Sequence, residues 1–222
     1  MKREQLEHVL RAASRIVDDA DVVVIGSQSI LGKLTETELP PEATASMEVD
    51  VAFFDDTDDT KADTVDGAIG ELSPFHETFG YYAQGVSVST AVLPAGWRDR
   101  LVVVQTPATA PGRGLCLEPH DCVLAKLAAG REKDYSFANA LVAAGLINPT
   151  TLANRLDTLP ADPRVTQRIR NWISAIDLPS QIARATGKIR IPGRQESRHH
   201  DPSRDPKRRQ PPGTQRFPRP PG

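Results

Sequence analysis

Glu48 and Asp50 stand two residues apart inside the apolar run Met47-Glu48-Val49-Asp50-Val51-Ala52-Phe53-Phe54. Residues i and i+2 of a strand leave the same face. The spacing therefore sets two carboxylates side by side on a strand made apolar by Met47, Val49, Val51, Phe53 and Phe54. A hard cation such as Mg²⁺ is held by such a pair when substrate phosphates and water supply its other oxygens. Upstream, Val23-Val24-Ile25 runs into Gly26-Ser27 and then Gln28-Ser29-Ile30-Leu31-Gly32. A buried strand ending in Gly-Ser delivers backbone N–H groups and a small hydroxyl to a helix start, where a phosphate can be held. Metal and phosphate together point to nucleotide chemistry.

A second cluster lies far along the chain: Leu117-Glu118-Pro119-His120-Asp121, then Lys126, then Gly130-Arg131-Glu132-Lys133-Asp134. These residues suit the charged face of a pair of amphipathic helices. They also complete a pattern. The order Gly-Ser, acidic-x-acidic, Asp-x4-Lys, Arg-x-Lys-Asp resembles the DNA polymerase β-like nucleotidyltransferase superfamily, and within it the AbiEii-like bacterial toxins and related uncharacterised families. The resemblance spans about residues 5 to 160. It implies that Gly26 and Ser27 hold a triphosphate, that Glu48 and Asp50 coordinate Mg²⁺, and that Lys126 neutralises phosphate charge. It further implies that Asp134 orients Lys126 or helps activate the acceptor, and that Arg131 and Lys133 add phosphate contacts.

The implied reaction moves a nucleoside monophosphate from an NTP to an acceptor, by resemblance the 3′ end of tRNA, in a toxin restrained by a cognate antitoxin. Two other classes stay open: a catalytically silent nucleotide- or RNA-binding protein, and an enzyme acting on a protein or a small molecule such as an aminoglycoside. Superfamily members usually draw a third carboxylate from a later strand. The candidate run here, Gly85 to Leu93, offers only Ser87 and Ser89, with Gln84 just before it.

The elements that must position these residues follow from periodicity. Leu6, Val9, Leu10, Ala13 and Ile16 predict an amphipathic helix over 3–18. Strands are expected at 21–26, 47–54, 81–82, 85–93 and 100–105, with a short helix over 27–34, a loop at 38–42 and a helix over 62–72. Helices are expected at 120–129, 133–145, 149–157, 162–175 and 179–185. Strands first and helices last predict an α+β fold: a nucleotidyltransferase-like mixed sheet with flanking helices (1–115) and a helical C-terminal lobe (116–187).

The net charge of −2 disfavours a generally basic nucleic-acid binder, but it hides an asymmetry. From Lys188 onward there are ten Lys and Arg against three Asp and Glu, leaving 17 against 26 in the body. Dense in Pro, Arg and Gly, residues 188–222 are expected to be disordered. Their basic side chains fit either contacts to RNA phosphates or, the favoured reading, a solvated extension without a partner. No apolar stretch is long enough for a membrane span, and Met1-Lys2-Arg3-Glu4 starts no signal sequence, so a cytoplasmic protein is expected. Cys116 and Cys122 flank His120 without the second ligand pair a structural zinc site needs, and are expected to be buried thiols. His76, Trp97 and Trp172 are expected to pack.

Overall fold

Leu6, Val9, Leu10 and Ala13 fall on one stripe of a 3.6-residue helix, and α1 (Arg3–Val17) buries all four completely. The computed structural model describes the backbone of residues 1–186 and the side chains of residues 1–176. Beside α1 lies a five-stranded sheet of β1 (Asp21–Val24), β2 (Glu48–Ala52), β3 (Tyr82–Gly85), β4 (Val102–Val104) and β5 (Arg113–Cys116), ordered β3-β2-β1-β5-β4. β1 runs antiparallel to β2 and parallel to β5, β2 runs parallel to β3, and β4 runs antiparallel to β5. The α+β class and the mixed sheet expected from the sequence are what forms.

Helices α2 (Pro41–Thr44), α3 (Thr60–Ile69) and α4 (Pro74–Phe79) interrupt the strands, and α5 (Pro119–Ala129), α6 (Glu132–Ala143), α7 (Pro149–Leu156) and α8 (Pro163–Thr186) follow them. One apolar core runs from Leu6 of α1 through Val22, Val49 and Leu117 to Leu124, Leu141, Leu152 and Ile169. The helices after β5 thus share the core of the sheet.

Several local expectations are corrected. Val86-Ser87-Val88-Ser89 alternates like a strand, but β3 stops at Gly85 and Val88–Thr90 form a 3₁₀ turn. The Ser87 hydroxyl accepts a hydrogen bond from the Ser89 N–H at 3.3 Å, a local bond that competes with ladder pairing. The stretch 38–42 is not all loop, because Pro41 opens α2. His76 packs as expected, with its ring centroid 4.7 Å from that of Tyr82, and lies in α4, whose N-terminus is capped by Ser73. The two helices expected at 162–175 and 179–185 are one, α8. The short helix at 27–34 is a 3₁₀ segment, Ser27–Gly32. The tail expectation, from Lys188 onward, lies outside the described residues.

β5 has no counterpart among the expected strands. Its Arg113-Gly114-Leu115-Cys116 lacks the β-branched density that marks a strand, and the reason is packing. A methyl group at Gly114 would come within 2.6 Å of Leu10 Cδ1, so α1 lies directly on this strand.

Candidate active site

β1 and β2 bring the two opening motifs together. The Ile25 N–H donates to the Asp50 carbonyl at 3.2 Å, which seats Gly26 against the Asp50 side chain. The approach is so close that a Cβ on Gly26 would fall 1.5 Å from Asp50 Oδ2. Glycine is required here by the carboxylate, not by an unusual backbone angle, since Gly26 is extended. On β2, Val49 and Val51 are fully buried while Glu48 and Asp50 alternate with them on the less buried face.

The two carboxylates interact. Burial and then the neighbouring Glu48 push the Asp50 carboxyl up to about 6, and only the positive charges of Lys126 and Arg131 hold it down. Tyr82, opposite Glu48 in the parallel register, donates its hydroxyl to Glu48 Oε2 at 3.1 Å. Burial, then the charge of Glu48 and this bond, push the phenol up to about 12. Gln84 is the register partner of Asp50, and its amide donates to Asp66 Oδ1 on α3 at 2.8 Å.

The opposite wall comes from the turn between α5 and α6. Gly130 ends α5 with φ of +71°, a left-handed conformation natural to glycine, and reverses the chain. Lys126 in the last turn of α5 and Arg131 at the cap of α6 then meet over Asp134. Asp134 is 1% exposed, accepts from Arg131 Nε at 2.8 Å and from the Arg131 backbone N–H at 3.1 Å, and lies 3.7 Å from Lys126 Nζ. The Arg131 bond holds the Asp134 carboxyl below the usual range against the upward push of burial.

Between these walls is a cavity of about 310 Å³, within the range of small-molecule sites. Gly26 and Asp50 line one side, Lys126 and Arg131 the other, and apolar surface from Ile25, Val86, Ala91 and Ala125 completes it. Ser27 begins the adjoining 3₁₀ segment without lining the cavity, and Glu48 lies two residues before Asp50 on β2, also outside the lining. Lys133 is exposed on the first turn of α6, and Asp134 stands behind Lys126 and Arg131 instead of facing the space between the walls. Thr90 and Ala91, at the 3₁₀ turn where alternation predicts a strand, also line the cavity. Their only sequence signal was the Ser-x-Ser capping pattern.

Asp121, the first member of the Asp-x4-Lys pattern, is elsewhere. Fully buried, it accepts from Arg100 Nε at 2.8 Å and from Arg155 at 2.9 Å. Arg155 also reaches Glu118, whose carboxyl is held far below the usual range by His120 and Arg155 despite burial. The motif is therefore divided: Lys126 faces the cavity, and Asp121 ties the β3–β4 connection to α7. Cys116 and Cys122 are buried thiols, and burial pushes Cys116 up to about 12. His120 is engaged by Glu118 and by the Asn148 N–H.

The carboxylate pair offers two hard oxygen donors, a set that suits a hard divalent cation. Among the described residues no three His, Cys, Asp or Glu side chains gather as ligands, so a cation at Glu48 and Asp50 would draw its other oxygens from substrate and water. Also among the described residues, no helix is long and apolar enough to cross a membrane.

No curated protein and no solved structure matches the chain. Residues 4–178, which span the whole sheet and both walls of the cavity, match the family described as nucleotidyltransferase of unknown function (DUF6036). The chain belongs to this nucleotidyltransferase family.

Proposed function

We propose that the protein is an Mg²⁺-dependent enzyme that moves a nucleoside monophosphate from an NTP to an acceptor hydroxyl. One observation carries the reading: Asp50 and the pair Lys126 and Arg131 face one another across a single cavity. A triphosphate needs charge of both kinds, cations on its oxygens and carboxylates for the metal it brings. Glu48 and Asp50 would hold Mg²⁺, which when bound withdraws charge from the phosphates.

The remaining work falls to the chain's own groups. Gly26 and Ser27 would take the phosphates at the head of the 3₁₀ segment, close to Asp50. Lys126 and Arg131 neutralise charge that builds on the α-phosphate and the departing pyrophosphate. Asp134 positions those two cations, because its oxygens are already committed to them. Lys133, exposed beside them, would extend the phosphate contacts outward. The acceptor oxygen bonds to the α-phosphorus, the bond from that phosphorus to the bridging oxygen breaks, pyrophosphate leaves, and the hydroxyl proton passes to solvent.

By its resemblance to AbiEii-like toxins, we take the 3′ end of tRNA as the acceptor, a cognate antitoxin as the restraining partner and the cytoplasm as the place of action. Incubation with α-labelled NTPs, Mg²⁺ and total tRNA tests this. Label on tRNA that disappears in folded Asp50→Ala and Lys126→Ala proteins supports it, and label on protein or on a small molecule redirects the acceptor.

A second reading has its own observation. Gln84, an amide, stands in register with Asp50 and is tied to Asp66. A site with two carboxylates and a neutral third position suits a protein that binds a nucleotide or RNA without turning it over. NTP binding without transfer to any acceptor would favour it.

A further inference from the structure

The cavity does not end at its lining. Ala91, on its rim, also lines a second groove of about 340 Å³ formed by Val88, Val92, Leu93, Trp97 and Arg98. A third groove, of about 480 Å³, shares Leu93, Trp97, Arg98 and Pro160 with the second. Trp97 is half-buried, and its ring centroid lies 5.9 Å from that of Phe54, a residue 37% exposed just past the end of β2. The exposed Arg98 places its guanidinium carbon 4.6 Å from the Phe54 centroid and 5.5 Å from the Trp97 centroid.

Two rings and a stacked guanidinium, partly open to solvent, are what single-stranded nucleic acids use as a base platform, because every base presents a π face whatever its sequence. A core cluster would bury these groups. A protein-docking patch would not need a guanidinium lying over ring faces. On this ground we infer that Phe54, Trp97 and Arg98 form a stacking subsite for a nucleobase of the acceptor strand, beside the cavity that takes the NTP.

This inference rests on the nucleotidyl-transfer reading for its word "acceptor", and the assignment to acceptor and not to donor has its own argument. The cavity already offers the donor base an apolar wall of Ile25, Val86, Ala91 and Ala125 within reach of Lys126. Among the described residues, the groove lined by Trp97 and Arg98 shares only Ala91 with the cavity lining. A strand stacked there would run its end toward the cavity rim, and the acidic body of the chain leaves stacking, more than phosphate neutralisation, to hold it.

Trp172→Phe leaves Trp97 as the sole tryptophan of the full chain, so its fluorescence reports on this surface alone. Titration with short single-stranded oligo(A) is expected to quench it saturably. Phe54→Ala and Arg98→Ala, both at partly exposed positions, are expected to weaken binding of fluorescently labelled oligo(A) by about tenfold to a hundredfold, with ATP binding in Mg²⁺ kept. Absence of quenching, or unchanged oligo(A) affinity in both folded variants, overturns the subsite. ATP that quenches Trp97 and blocks oligo(A) overturns it in favour of a donor-base site. A transfer assay separates the two readings: quenching without transfer to any acceptor sinks the enzyme and keeps the platform, whereas equal transfer to oligo(A) by Arg98→Ala and wild type sinks the platform and keeps the enzyme.

Discussion

Gly26 and Asp50 touch so closely that no side chain larger than hydrogen fits between them: a methyl group at Gly26 would lie 1.5 Å from Asp50 Oδ2. The Gly-Ser turn and the acidic strand are thus one structural unit, joined across β1 and β2. Gly26→Ala must push the Asp50 carboxylate out of its place. The variant is expected to fold with a loss of about 1–3 kcal/mol from overpacking and to lose transfer by at least about a hundredfold. Ser27→Ala removes one hydroxyl contact to the phosphates but leaves the Asp50 carboxylate in place, and is expected to lose less. Equal effects in a paired rate and urea-unfolding comparison would contradict the close-contact account.

Asp50 also predicts a pH signature. Its native carboxyl titrates near 6, above the ordinary value of 3.8, because burial and Glu48 disfavour its charge. Between those two values the native state holds a proton that the unfolded chain has released, so the Asp50 contribution to stability falls as pH rises through the window. Asp50→Asn removes that penalty. Relative to wild type it is expected to be more stable by about 3 kcal/mol above pH 6 and to show no such gain below pH 4. Urea midpoints measured across this range check it; a variant no more stable than wild type at pH 7.5 refutes the buried-carboxylate penalty.

Asp121 is expected to behave as an anchor. Asp121→Ala leaves Arg100 and Arg155 facing an empty buried position, a change worth about 3–5 kcal/mol in stability. Lys126→Ala, by contrast, leaves Asp134 held by Arg131. It is expected to retain most stability while losing transfer by about a hundredfold or more. Thermal melts beside turnover rates separate the two members of the motif; matching profiles would mean that Asp121 serves the cavity after all.

Gly130 sets the distance between Lys126 and Arg131. A side chain there would need a left-handed backbone, and its Cβ would come within 2.4 Å of an Arg168 guanidinium nitrogen. That guanidinium donates to the carbonyls of Leu127 and Ala128 and closes the C-terminus of α5. Gly130→Ala is expected to cost about 1–2 kcal/mol and to weaken ATP binding, measured by calorimetry. Unaltered affinity would show that the turn does not position the cations.

The paired strands and the helical second half were legible because their signals are long: an alternating acidic-apolar strand and apolar residues at 3.6-residue spacing. The meeting of Gly26 with Asp50, and of Lys126 with Arg131, was legible as motif order along the chain. What escaped was short or hidden. β5 carries glycine where a strand would show branched residues, because α1 presses on it. The 85–93 run alternates like a strand, yet Ser87 bonds its own backbone and turns Thr90 and Ala91 toward the cavity. Asp121 and Lys126 read as one motif, and only the fold shows that five residues of helix send them to different surroundings.

The most direct measurement is transfer of label from α-labelled ATP in Mg²⁺ to a nucleic-acid acceptor, with wild type, Asp50→Ala and Lys126→Ala compared at equal foldedness. The account predicts labelled acceptor and free pyrophosphate from wild type and at least about a hundredfold less from either variant. ATP bound by all three proteins, with no pyrophosphate released by any, would contradict it.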